Sequence, residues 1–316
     1  MTLRIVERIA ALAASLAVSS VLVFGFLAVL PGDPARVALG VNASDQSVAS
    51  LRAEFGLDRP LVSQYLSWVG GLLRLDAGES YVSRAAIGPQ IADRMQVTLW
   101  LVVTSVVIAL VIAVPVGTLT AVWHRRFSGL LLSAVAQVGV AVPAFLAGIL
   151  LITVFAVQLG WLPAGGWTPP VQDPALFLRQ LTLPALSLGL VQGAVLTRYV
   201  RSSVLDVLRQ DYLRTARAKG LRPMPALLRH GLRNASVPVV TVLGLQLATL
   251  LVGAVVVERV FVIPGLGSLL LDAVAGRDLL VVQDVVMILV VAVLLVNFVV
   301  DLLYVVIDPR MRTAAS

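Results

Sequence analysis

The residues able to do chemistry in this chain are few, and the densest group is the stretch DYLRTARAKGL at 211–221, in which Asp211, Arg214, Arg217 and Lys219 are charged. Other reactive types are nearly missing: there is no cysteine, and the only histidines are His124 and His230. Disulfides, thiolate chemistry and cysteine-ligated metals are therefore excluded, and the two histidines make a poor basis for a dedicated metal site. No G-x-x-x-x-G-K-[ST] phosphate loop occurs, so the chain lacks that cradle for a nucleotide. What remains are polar side chains inside apolar runs: Gln137, Gln192, Gln246, Asn297 and Asp301. In lipid each is costly unless it meets a partner or water, so each reads either as an interhelical hydrogen bond or as part of a wet path. Asn297 and Asp301 are four apart and share one helix face. Asp301 also lies near enough to the end of its run to pair with an arginine beyond it.

The elements that must position these residues follow from composition. The chain has 316 residues, 59% hydrophobic and 13% charged, with mean hydropathy +0.97, whereas soluble domains carry about 25% charge. It is an integral membrane protein. Apolar runs at 9–30, 97–123, 129–159, 181–200, 236–257 and 282–307 predict six transmembrane helices. The first has a basic start like a secretory signal, but its apolar length suits an uncleaved span. Of the 24 Lys and Arg, fifteen fall on the side of the two termini and nine on the other, where seven acids in 31–94 offset six of them. Basic flanks stay in the cytoplasm, so both termini and the 198–233 loop are expected there, and the net charge of +7 reflects membrane asymmetry.

On the outer side, SVASLRAEFGL and PLVSQYLSWVGGLLRL read as two short amphipathic helices separated by Asp58–Pro60, forming a small external cap. GWLPAGGWTPPVQDP suits turns with an interfacial aromatic anchor, and Pro264, Gly265 and Gly267 precede a further short helix. Pro115 and Pro143 lie inside spans, where they either kink helices around a path or serve packing.

In the cytoplasmic loop, Leu205, Leu208, Tyr212 and Ala216 recur at helical spacing, predicting a helix that stops at Gly220, after Arg217 and Lys219 and before Pro223 and Pro225. A second short helix with Ala226, Leu227, Leu228 and Leu232 as its apolar positions leads back to the next span. Such a projecting pair could contact lipid headgroups, DNA or a cytoplasmic protein. Tethering at both ends keeps it from following a DNA groove. Headgroup attraction accounts for the arginines and leaves the glycine turn unexplained. Composition leaves the lipid and protein readings both standing.

At these residues the sequence resembles the inner-membrane permease subunits of bacterial ATP-binding-cassette importers, in the dipeptide and oligopeptide group that also includes nickel and glutathione importers. Arg214 and Thr215 stand where the general loop pattern has Glu-Ala, and Arg233 follows Leu232 where it has proline, but RTARAKG at 214–220 is similar to the peptide group along its full length. The likeness continues through LPGDP (30–34), FGLDRPLVSQYLSW (55–68), VPAFLAGILL (142–151), VFVIPGLG (260–267) and VDLLYVVIDPRMR (300–312), while RLDAGES at 74–80 departs from the group's pattern.

The resemblance implies an all-α, six-span permease of the type I importer kind. It divides the chain into an N-terminus and first span (1–30), an external segment (31–94), a permease core (95–310, with a coupling loop at 201–235) and a short C-terminal tail (311–316). The implied partners are a second, homologous permease, two cytoplasmic ATPase subunits that bind ATP and Mg, an extracytoplasmic substrate-binding protein and membrane lipid, with no nucleic acid. The chain itself would carry no cofactor and no catalysis and would sit in the bacterial inner membrane. Asp211, Arg214, Thr215, Ala216, Arg217, Lys219 and Gly220 would couple to the ATPase, and Gln137, Gln246 and Asn297 are the candidates for the path of a peptide, nickel complex or glutathione. A stand-alone secondary transporter would need intramembrane titratable groups, for which Asp301 is the candidate. A structural anchor with a signalling loop would carry no solute.

Overall fold

The computed structural model describes residues 2–29, 32–40 and 43–307; the terminal tail, with Arg310 and Arg312, lies outside them, as does the side chain of Asp301. The described residues are mostly helical, and the single bridge among them joins Glu79 and Ala86. They form two compact units, Met1–Thr98 with Pro264–Phe298, and Leu99–Ile263 with Val299–Ser316.

In the first unit, α1 (Thr2–Val29) is the first span. The segment expected to be external opens with α2 (Pro34–Leu39), which the sequence reading missed. Its start was legible: Asp33 caps it by accepting from the Ala35 amide at 3.1 Å, and Pro34 occupies the first turn. Helix α3 (Asp45–Glu54) is capped by Ser44, and α4 (Leu61–Leu73) follows the break at Asp58–Pro60. Ala35, Val48 and Leu51 form a small core under Phe55. Helix α12 (Leu266–Ala275) includes Gly267, and its first amide donates to Thr98 Oγ1 at 2.9 Å. Leu27, Ile87, Ile91, Leu266, Leu269 and Val285 pack the main core of this unit. Helix α13 (Leu279–Ile307) is the last span.

Helix α5 (Ile87–Val122) has 36 residues, about 54 Å at 1.5 Å per residue, well beyond a hydrocarbon core of about 30 Å. It starts inside the segment read as external and passes through Pro115 as one unbroken helix. The third predicted span, 129–159, is not straight. Helix α6 (Phe127–Ala141) ends at Val142–Pro143, and the chain resumes in α7 (Ala144–Leu151) and a π-helical stretch, Ile152–Gln158, after a bend of 101°. Proline cannot supply the amide that would continue α6, which fixes the bend there. Among the described residues five helices are long and apolar enough to cross a membrane, and six spans result when this bent pair is taken as one.

The centre of the second unit is α8 (Pro174–Leu208), which packs against α6, α7 and α11 (Leu232–Val260). Asp173 caps it, accepting from the amides of Ala175 and Leu176 at 3.0 and 2.9 Å. Small buried residues on α5, Ala109, Ala113 and Ala121, join Leu196, Val200 and Val204 of α8 in one core. Between helices in lipid the hydrophobic effect gives little, so close backbone approach and dispersion hold such contacts.

Candidate coupling site

The 205–220 stretch is not the single helix expected. Helix α8 runs on to Leu208, the chain turns extended at Gln210 (φ −71°, ψ 144°), and α9 (Asp211–Ala218) starts afresh. The break changes which residues face inward. Leu205, Leu208 and Ala216 are half-buried against the core, whereas Tyr212 is exposed and its hydroxyl accepts from Asn234 Nδ2 at 3.0 Å. The anchor is Leu213, only 1% exposed among Val204, Val207, Ala226 and Leu227.

Helix α9 ends with paired backbone bonds: the Leu221 amide donates to Ala216 O at 3.3 Å and the Gly220 amide to Arg217 O at 2.9 Å. This is the Schellman arrangement, and it puts Gly220 at φ +91°, where only glycine is unstrained. A Cβ there would meet no atom, so the requirement is conformational and not steric. The return limb is helical without interruption, from α10 (Pro223–Ala226) through a π turn at Leu227–Gly231 into α11. The π turn shifts the register, burying Leu227 and Gly231 and leaving Leu228 exposed. At Gly231 the need is space, since a Cβ would lie 2.8 Å from Leu227 and 2.9 Å from Val207.

Of the seven predicted coupling residues, Ala216 is half-buried, and Asp211, Arg214, Thr215, Arg217, Lys219 and Gly220 are exposed. Thr215 Oγ1 donates to Asp211 O at 3.0 Å, and Arg214 meets Asp211 at a loose 3.5 Å with both side chains largely solvated. Arg217 is different. Its guanidinium donates to Leu208 O at 3.1 Å and Leu213 O at 3.3 Å, tying the end of α8 to α9. The result is a short cationic platform on a rigid mount.

The three path candidates are less organised. Gln137 is exposed on α6, Gln246 half-buried on α11 and Asn297 half-buried on α13, in the other unit.

Sequence reasoning passed over a set of buried acids. Glu258 is fully buried on α11. In the first unit Asp278 is buried just ahead of α13, where its Oδ2 accepts from the Ser80 hydroxyl and its Oδ1 from the Tyr81 amide at 3.3 Å. Asp284, fully buried one turn into α13, accepts from Trp68 Nε1 at 2.7 Å, and its Oδ2 accepts nothing among the described residues. Burial, then the nearby carboxyls of Asp284 and Asp278, raise the Tyr81 phenol above its usual range. The signal was in the sequence, since Gln283 and Asp284 interrupt the apolar run LLVVQDVVMILVV. These bonds pin residues 68–81 to the start of the last span.

The family model described as binding-protein-dependent transport system inner membrane component matches residues 113–313, and its N-terminal counterpart matches residues 1–103. The chain belongs to this family. The glutathione transport system permease protein GsiC of Escherichia coli strain K12 is 44% identical over 308 residues, covering 98% of each chain, and that of Shigella flexneri serotype 5b is 43% identical over the same length. In fold, the inward-facing methionine ABC transporter MetNI matches 69% of this chain and 96% of its own at TM-score 0.58 and 21% identity. An amino acid ABC transporter solved with histidines matches 68% and 92% at TM-score 0.51 and 18% identity. The binding-protein-dependent permease is thus an all-helical, multi-pass inner-membrane subunit of an ATP-driven importer, with the fold of type I importer permeases.

Proposed function

We propose that α9 and its Gly220 stop form the element through which a cytoplasmic ATPase moves this permease. The observation that carries the reading is the combination at 211–220 of a solvated surface, made by Asp211, Arg214, Thr215 and Lys219, with a mount fixed by Leu213 and Arg217. A floppy loop would absorb motion, whereas a short helix anchored through Leu213 and Arg217 passes it to α8 and α11. In this reading two ATPase subunits bind ATP and Mg and perform the hydrolysis, while this chain performs none. A second, homologous permease completes the path, and a binding protein delivers solute from outside. Both termini face the cytoplasm, as the arginine distribution argues.

The solute class we infer is a small peptide, with glutathione, itself a tripeptide, the first to test because of the likeness to GsiC. Gln137, Gln246 and Asn297 offer amide groups suited to a peptide backbone along the path. Nickel complexes remain the alternative cargo of the wider group.

The test begins with Arg214→Glu. Arg214 contributes little to the mount, so the variant should insert and fold normally while solute-stimulated ATP hydrolysis and uptake are lost. Arg217→Glu and Gly220→Pro should also uncouple, but by disturbing the mount itself. Unchanged uptake in Arg214→Glu would overturn the docking role. Cargo identity is tested separately, by purifying the partner binding protein and identifying the solute it carries.

A further inference from the structure

We infer that α4, within the segment read as an external cap, is an interfacial membrane helix whose outer face lies against lipid acyl chains. Its depth is marked twice. Trp68 stacks on Phe24, with ring centroids 6.2 Å apart, and Phe24 lies five residues before the end of α1 at Val29. Trp68 also donates to Asp284, five residues past the start of α13 at Leu279. Five residues of helix amount to about 8 Å, so two contacts independently put Trp68 alongside the apolar stretches Val6–Val29 and Leu279–Val300, about 8 Å from their ends. Tyr65 reaches deeper still, its hydroxyl 2.9 Å from Ser20 Oγ, nine residues from the end of α1. Leu61, Gln64, Ser67 and Gly71 line a cavity of about 420 Å³ together with Leu27 and Ala28 of α1, and its remaining wall carries Asp33, Arg52, Arg59 and Asp76, so the polar side of α4 is turned to this cavity.

The free face of α4 has lipid chemistry. Val62, Leu66, Val69 and Leu73 follow one helical stripe, and Val62, Leu66 and Leu73 are 70%, 62% and 82% exposed. In water such a stripe would be an unfavourable apolar patch. No charge occurs from Pro60 to Leu73, while Arg59 and Arg74 stand at either end, placed to reach headgroups. The stripe belongs with the apolar surface of α1, where Val18, Val21, Leu22 and Phe26 are likewise exposed. A depth of about 5–10 Å is where interfacial helices settle.

Because the chain has no cysteine, single sites can be labelled cleanly. Val62→Cys, Leu66→Cys and Leu73→Cys would carry nitroxide labels in the assembled transporter, with partner cysteines replaced, in nanodiscs of phosphatidylethanolamine and phosphatidylglycerol. Val21→Cys serves as lipid reference and Ser50→Cys, exposed on α3, as water reference. Collision with oxygen and with nickel ethylenediaminediacetate is then read by power-saturation EPR. The expected result is a several-fold higher oxygen-to-nickel accessibility ratio at 62, 66 and 73 than at 50, close to that at 21. Nickel accessibility equal to that at 50 would show an aqueous face and overturn the inference. Labels shielded from both reagents would show a protein, such as a second permease, covering the stripe, and would overturn it equally.

Discussion

The loop around α9 and the segment around α4 are held in opposite ways. Around α9 the charges are outside and the anchor is apolar: Leu213 is buried while Asp211, Arg214 and Lys219 meet solvent. Around α4 the charges are inside and the exposed surface is apolar: Asp278 and Asp284 are buried under Ser80, Tyr81 and Trp68, while Val62, Leu66 and Leu73 face outward. The difference teaches that the two regions are fastened by different chemistry, the first by apolar burial of Leu213 and the second by hydrogen bonds to buried carboxylates.

Four substitutions would break or sharpen this contrast. Leu213→Ala should have the largest effect, removing a fully packed side chain at about 2–5 kcal/mol. Faster proteolysis between α8 and α11, together with loss of coupled ATP hydrolysis, would be the readout, and a protease-resistant loop would show that the mount does not depend on it. Asp278→Ala comes next. It leaves the Ser80 hydroxyl and Tyr81 amide without their acceptor, at about 1–3 kcal/mol, and should lower the Tm of the purified protein, with partial recovery in Asp278→Asn. Gly220→Ala should cost about 1–2 kcal/mol, the penalty of a left-handed residue with a side chain. Gly220→Asn should be milder, and equal effects of Asn and Ala would point to a steric cause that the open space around Gly220 contradicts. Smallest in stability is Asp211→Asn, because the pair with Arg214 is long and solvated. Its Tm should be unchanged, and any loss of uptake would then report on docking alone.

Legibility followed the same contrast. The Gly220 stop, the break at Asp58–Pro60 and the short helix after Pro264 could be read because each rests on local backbone chemistry. The inward residue of the coupling helix could not. Tyr212 fits a continuous helical face, and only the extended turn at Gln210 gives that place to Leu213. The 101° bend at Pro143 was visible as a proline but not as an angle. Asp284 was passed over because a single acid in an apolar run says nothing about its partner, and Trp68 is 216 residues away.

By itself the sequence determined that this is a multi-pass membrane protein with one cationic, glycine-terminated loop, no cysteine and no G-x-x-x-x-G-K-[ST] motif, since hydropathy, charge and residue inventory are read directly from the chain. Tertiary structure alone decided which residue anchors that loop, which carboxylates fasten the segment after the first span, and that Trp68 of α4 packs on Phe24 of α1. Those are matters of contact between residues far apart in the chain, set by packing and hydrogen-bond geometry that no local pattern encodes.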